Sequence, residues 1–541
     1  MREESIARGT LVLTVASFFN RFVGFALRIL LIRIVGSEGI GLFVRASSVY
    51  VFLLSFASAG VPVAVAKLIA EERASHRAGP GDPHARRAGA PLRLIVDVAL
   101  GIILVTCIIM TIFYILAARS IADFILKDPR TYAVMLCTAP ALLVVGIDSA
   151  FRGCFQGLRW MEPIALSQTI ERVVSAIVSL CMAYILIANG LEAAAAGISL
   201  GMVAGESAGL ATLFIFYRRY VNLNQSVQGY GSGGARGARG REGGRNGEEV
   251  DLFGLLGDIF RIAVPVAVGR IAASAAHMMS AFLIPLRLQA GGMSLSKATS
   301  LYGDFAGVGL ALVSFPTIFT IALSANLVPA VSSTAAERDY VKMARQVREA
   351  VRVTLITGLP LCSIFYALAN PLCRIVFSAP EAGPVLSGLA IGAVFMYIRI
   401  TTSSILQGLG MATLSVVSFI AGSLADFVLI YLFGAEPLIG IHAAVIGFGA
   451  GAALNSWINL RAISRKLNMS WNWPGMIWSP VAGCAMLIIA LPGFFEAVFE
   501  ATGSEISALG VSLFAAIVFY GAILVVTGAV HIKAVWMALR R

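Results

Sequence analysis

Apolar stretches of about 20–30 residues follow one another along the chain, separated by short polar clusters rich in arginine and glycine. About 20 residues of helix cross a ~30 Å hydrocarbon layer, so the pattern predicts a polytopic α-helical membrane protein. The short alternating segments of a membrane β-barrel are absent. About fourteen spans are expected between residues 10 and 532, the first two at 10–35 and 42–70 and the eighth at 302–332. The first apolar run is too long for the h-region of a signal peptide and lacks a small-residue cleavage site, so it is expected to remain as a span.

The polar clusters alternate in character. Arg73, Arg77, Arg86, Arg87 and Arg93 fall between the second and third spans, and Arg338, Lys342, Arg345, Arg348 and Arg352 between the eighth and ninth. Intervening loops such as NGLEAAAAG and FGAEPLIG carry no cation. Cations favour the cytoplasmic side, so both termini are expected there, as an even number of spans requires. The third-to-fourth loop, with Arg119, Lys127 and Arg130, is the exception.

Composition agrees with lipid. Of 541 residues 58% are hydrophobic and 13% charged, and the mean hydropathy is +0.86. A net charge of +12 would point to nucleic acid in a soluble protein. Here the cations sit in loops, and anionic membrane lipids are the expected partner. The seven cysteines form no CxxC or Cys/His cluster, so neither a metal site nor a disulfide framework is expected.

The stretch 228–249, rich in glycine and arginine with almost no apolar residue, reads as a flexible linker on the cytoplasmic side. It separates two similar halves. Gln156-Gly157-Leu158 returns as Gln407-Gly408-Leu409, Arg21 and Arg28 shift onto Arg270 and His277, and Val61-Pro62 onto Val328-Pro329. Six spans per half give a parallel repeat about an axis along the membrane normal. The expected organisation is an N-lobe (1–220), linker (221–252), C-lobe (253–466) and two additional C-terminal spans (467–541).

Charges within the spans carry the chemistry. A charge at the bilayer centre costs about 2.5–3.5 kcal/mol, so a mid-span arginine should face protein or water. Arg21 and Arg28 are seven residues apart and share a helix face. With Arg270 and His277 they predict two facing cationic stripes, suited to phosphate oxygens through the guanidinium fork. Competing readings are snorkelling of Arg28 with Arg33, an ion pair of Arg21 with Glu171 or Asp426, and chance. Asp148 and Arg152 are expected to pair locally. Glu171, Asp304 and Asp426 are candidates for an ion or proton relay; no cofactor is expected, and a coupling ion, Na+ or H+, is a candidate whose identity the residues leave open. GMVAGESAG (201–209) and GFGAG (447–451) follow no strand and read as close helix packing rather than nucleotide loops. Pro62, Pro265, Pro316 and Pro329 are expected to bend spans. No nucleophile–base constellation, HExxH or Walker A pattern is present, so an enzyme is not expected.

The segments RGTLVLTVASFFNRFVGFALRILLIRIVGSEGIGLF (8–43), SAGVPVAVAKLIAEE (58–72), FRGCFQGLRWMEPIALSQTIERVV (151–174) and FPTIFTIALSANLVPAVSSTAAERD (315–339) resemble the stage V sporulation protein B branch of the polysaccharide-transport family. That branch lies in the superfamily of multidrug and toxin extruders, oligosaccharidyl-lipid flippases and MurJ lipid II flippases. The resemblance implies two six-helix lobes and alternating-access translocation of an undecaprenyl-pyrophosphate-linked cell-wall precursor. It also implies a role for Arg21, within Arg21-x-x-Gly24-Phe25-Ala26, in holding the substrate. Arg28 stands one position from the family's second arginine. The alternatives are a proton- or sodium-coupled drug exporter of the same fold and a non-transporting scaffold that recruits cell-wall synthases. The expected setting is a monomer in the bacterial cytoplasmic membrane.

Overall fold

A computed structural model describes residues 6–58, 60–77, 92–232, 252–337, 339–471 and 473–526. Every regular element among them is helical. The first half holds α1 (Ile6–Ser58), α2 (Val61–Arg77), α3 (Leu92–Ser120), α4 (Thr131–Gly157), α5 (Glu162–Leu186) and α6 (Leu191–Ser232). The second holds α7 (Leu252–Ala290), α8 (Leu295–Tyr302), α9 (Leu310–Ser314), α10 (Thr317–Ala336), α11 (Tyr340–Ala367), α12 (Ala369–Leu372), α13 (Ala382–Gly408), α14 (Ala412–Phe433) and α15 (His442–Leu467). α16 (Trp473–Thr502) and α17 (Glu505–Val526) follow. Among the described residues thirteen stretches are long and apolar enough to cross a membrane, and the first, Val15–Glu72, has 58 residues, enough to cross twice. About fourteen crossings result.

Two local expectations need correction. The loop expected at 36–41 is a single non-helical residue: Gly36, at φ 67° and ψ 178°, kinks α1 while the hydrogen-bonded helix runs on either side. That conformation is open essentially to glycine alone. The continuous span expected at 302–332 is interrupted, because a π-helical turn (Gly303–Gly309) follows α8 and a break at Phe315–Pro316 precedes α10. Pro316 caps α10 and Pro62 opens α2, so these two prolines start helices, whereas Pro329 lies inside α10. At the linker, helix α6 continues to Ser232, and the remainder, 233–251, lies outside the described residues.

The chain forms two compact units, Met1–Leu27 with Arg45–Met278, and Arg28–Val44 with Met279–Arg541. Relative to the expected lobes, the units exchange two segments, residues 28–44 and the first part of α7. In the first unit, Leu255, Ile259 and Ala263 of α7 join the core formed by Val65, Ile69, Ile103, Phe151 and Phe155. In the second, Val331, Val347, Val351, Ile405 and Ile463 bury one another. α16 packs on α11 and α17.

Each unit carries the same succession of elements. α4 and α13 start 251 residues apart and have 27 residues each, and each follows a π-helical turn, Ile121–Ile125 or Cys373–Phe377. Gly157 abuts Ala66 and Ile69, and Gly408 abuts Val328 and Val331, so α2 and α10 correspond with an offset of 262. The repeated Val-Pro dipeptides, 267 apart, are therefore not structural equivalents. The glycine clusters pack helices closely. Gly201 and Gly205 of α6 press on Ser179 and Glu171 of α5, and Gly447 and Gly451 of α15 on Asp426 and Gly422 of α14. A side chain at any of these positions would displace neighbouring backbone.

Candidate functional site

Three of the four proposed anion-binding residues, Arg21, Arg270 and His277, belong to the first unit and are exposed there, on α1 and α7. A cation exposed on an apolar helix is cheap only where it meets water or headgroups. Arg21 and His277 also take part in interactions within the described residues. Arg28 belongs to the second unit and is half-buried, so the first stripe is divided between the units. Its Nη1 is buried without a hydrogen-bond partner, near the π-helical turn: a Cβ built on Gly307 would lie 3.8 Å from it. Arg33 does not accompany Arg28 to a headgroup region. Its Nε donates to the Val376 carbonyl at 2.9 Å, and its Nη2 to that of Ile375.

The carboxylates separate into paired and unpaired. Arg152 joins Asp148, as the four-residue spacing implies, and also reaches Glu171 across helices, with Nη2 2.6 Å from Oε2. Asp304, 1% exposed, accepts a hydrogen bond from the Ser37 hydroxyl. Asp426 differs: its Oδ1 is buried with no hydrogen-bond partner among the described residues, against Gly447. Sequence alone left Asp304 without a partner, because Ser37 lies 267 positions away.

Sequence reasoning also missed a fully buried ion pair. Arg45 donates from Nη1 to Asp128 Oδ2 at 2.9 Å and from Nη2 to the Leu126 carbonyl, with both charged side chains 0% exposed. Arg130 binds the same carboxylate, Nε to Oδ1 at 2.9 Å. The only forewarning was a basic loop on the side where cations are not expected. Arg45 and Arg33 do matching work, since each binds carbonyls at the end of a repeat-related π-helical turn. In the second unit Asn459 bonds Thr402, Ser403, Asn455 and Ser418, a buried polar seam between α13, α14 and α15. Arg399, half-buried on α13, stacks over Phe419 at 5.6 Å and leaves its Nε without a partner. Among the described residues no group of three or more His, Cys, Asp or Glu is arranged to hold a metal ion.

Comparison with known proteins agrees with this architecture. The family described as "Polysaccharide biosynthesis protein" matches residues 6–335, and the MatE family matches 303–432. Stage V sporulation protein B of Bacillus subtilis (strain 168) is 27% identical over 87% of this chain and 86% of its own length. Lipid II flippase MurJ of the same organism is 24% identical over 78% and 76%. Among solved structures, lipid II flippase MurJ in an inward closed conformation superposes with a TM-score of 0.61 at 12% identity, covering 96% of this chain and 98% of that one. An inward-facing multidrug resistance MATE transporter does so with a TM-score of 0.61 at 12% identity, over 83% and 94%. The relatives whose names state an activity are flippases and transporters rather than enzymes. The chain belongs to the polysaccharide biosynthesis protein family, as a multi-pass membrane transporter of the superfamily that unites multidrug extruders, oligosaccharidyl-lipid flippases and lipid II flippases.

Proposed function

We propose that this transporter flips an undecaprenyl-pyrophosphate-linked cell-wall precursor, a lipid II-like molecule, across the cytoplasmic membrane by alternating access. The observation that carries the reading is Arg28. A half-buried guanidinium with an unused Nη1 in an apolar environment is unfavourable until an anion reaches it. Diphosphate oxygens match its fork, and a polyprenyl tail can stay in lipid while the head is held. Arg21, Arg270 and His277 are the remaining proposed contacts. The relatives named for lipid II flipping and for sporulation support a cell-wall substrate.

Coupling is assigned to Asp426. Glu171 is committed to Arg152 and Asp304 to Ser37, whereas the Asp426 carboxylate keeps an unused oxygen for a proton or Na+. The drug-exporter reading would be served better by carboxylates than by cations at the substrate contacts. Cell-wall synthases as partners, and action as a monomer, belong to the same proposal.

The test is binding of lipid II to purified protein by native mass spectrometry, wild type beside Arg28→Ala, Arg21→Ala and Arg270→Ala, with a cationic dye as competitor. Loss of Arg28 should weaken binding about tenfold or more, the worth of a charge-assisted bidentate contact. Unchanged binding in all three variants, or preference for the dye, would overturn the proposal.

A further inference from the structure

The end of α15 carries Arg461, Arg465 and Lys466 within its last two turns, beside the start of α14. They rim a pocket of about 470 Å³ within the second unit, whose floor is Leu414, Ile458 and Ala462. No acidic residue lines it, and among the described residues no ion pair engages any of the three cations. This is unlike another pocket of that unit, where Lys297 pairs with Glu381. Arg461 lies over the exposed Trp457 ring at 5.3 Å, which holds the guanidinium at the rim.

Cations at a helix C-terminus offset its partial negative charge, worth about half a unit. Three of them leave a clear positive surplus. An apolar floor beneath a cationic rim, flanked by an indole at the edge of an apolar helix, matches an amphiphile with an anionic head. The loop pattern expects this end of α15 in the cytoplasmic leaflet, where anionic lipids attract basic segments.

We infer that this pocket is a binding site for an anionic glycerophospholipid, with the phosphate held by Arg461, Arg465 and Lys466 and the first part of an acyl chain lying on Leu414, Ile458 and Ala462. The site shares no residue with the proposed substrate contacts Arg21, Arg28, Arg270 and His277, and does not depend on the flippase reading. Bound there, the lipid bridges the start of α14 and the end of α15, the helix pair that carries Asp426.

The experiment is native mass spectrometry of the full chain titrated with dioleoylphosphatidylglycerol or dioleoylphosphatidylcholine. Parallel arms contain sn-glycerol 3-phosphate, which has the head without the chains, and undecaprenyl phosphate. Phosphatidylglycerol should bind with a stoichiometry near one, and phosphatidylcholine and glycerol phosphate at least tenfold more weakly. The triple variant Arg461→Gln/Arg465→Gln/Lys466→Gln should lose about tenfold or more, whereas Arg218→Gln/Arg219→Gln/Lys67→Gln, which removes equal charge elsewhere, should not. Ala462→Trp keeps every charge but fills the floor, and should also weaken binding. Thermal unfolding and size-exclusion profiles like wild type establish that each variant is folded. Retention by Ala462→Trp would overturn the pocket and leave only surface attraction. Equal loss in the charge-matched control, or equal binding of phosphatidylcholine, would overturn it as well. Preference for undecaprenyl phosphate, lost in the triple variant, would overturn the assignment to bulk lipid and make this a substrate station.

Discussion

Arg45 and Arg28 stand on the same kinked helix and do opposite things with their charge. Arg45 is 0% exposed and spends both Nη atoms, on Asp128 and on the Leu126 carbonyl. Arg28 keeps Nη1 unused. The first arrangement is structural, because removing one partner strands a buried charge at a cost of about 3–5 kcal/mol. Arg45→Ala or Asp128→Ala should therefore lower thermal stability sharply in detergent, while Arg45→Met/Asp128→Leu should recover much of the loss. A binding defect without loss of stability would contradict the structural role. For Arg28 the expected pattern is reversed, with substrate binding lost and the melting temperature held or raised. Arg21 and Arg28 were legible as unusual from sequence, since a cation inside an apolar run is visible by inspection. That Arg45 is silent as a binding residue was not legible, because its partner is 83 residues away.

At the scale of elements, α1 matters most. Its kink at Gly36 lies within 28–44, the segment that belongs to the second unit, between Arg33 and the Arg45 segment of the first. The two sides are fastened in matching fashion, by Arg33 to the Val376 carbonyl and by Arg45 to Leu126. Gly36→Ala would place a Cβ in a glycine-only conformation at a cost of about 1–3 kcal/mol, although nothing within 4 Å obstructs it. The expected result is a modest drop in melting temperature with a larger loss of transport, measured in reconstituted vesicles, because straightening the kink realigns both fastened segments. Equal transport in Gly36→Ala would show that the kink is dispensable. The sequence marked 36–41 as a break from its glycine and polar residues. It could not show that one residue suffices, because the hydrogen-bonded helix on each side is set by packing. Likewise the π-helical turn at Gly303–Gly309 begins where Gly303 meets the Ser37 backbone, a contact with no local signature, whereas the break before α10 is marked locally by Pro316.

For the whole molecule, the two units repeat one succession of helices, and the repeat was visible in Gln156-Gly157-Leu158 and Gln407-Gly408-Leu409. Its offset is not uniform, 251 for α4 and α13 but 262 for α2 and α10, so matched dipeptides were a poorer guide than matched contacts. The exception to the alternation of basic loops also has a local account. Arg119 pairs with Asp123, and Arg130 shares Asp128 with Arg45, both contacts at 2.9 Å, so two of its three cations are held in ion pairs. The stretch 228–249 bears on the choice between a transporter and a scaffold. Deleting 233–249 should leave lipid II flipping in vesicles within about twofold of wild type, as expected for a segment too polar to form a core. Loss of flipping would assign it a working part.

Hydropathy determined that the chain spans a membrane as helices and roughly how many times, and glycine spacing that the clusters would bring helices together. Each of these rests on a cost borne locally, such as an unsatisfied peptide group in hydrocarbon or a side chain too large for a close approach. Tertiary structure decided which charges are spent and which are available. Ser37 claims Asp304, Arg152 claims both Asp148 and Glu171, and Asp426 and Arg28 are each left with an unused polar atom. Electrostatic pairing depends on separation in space and on burial, and residues up to 267 positions apart become neighbours only when the helices pack.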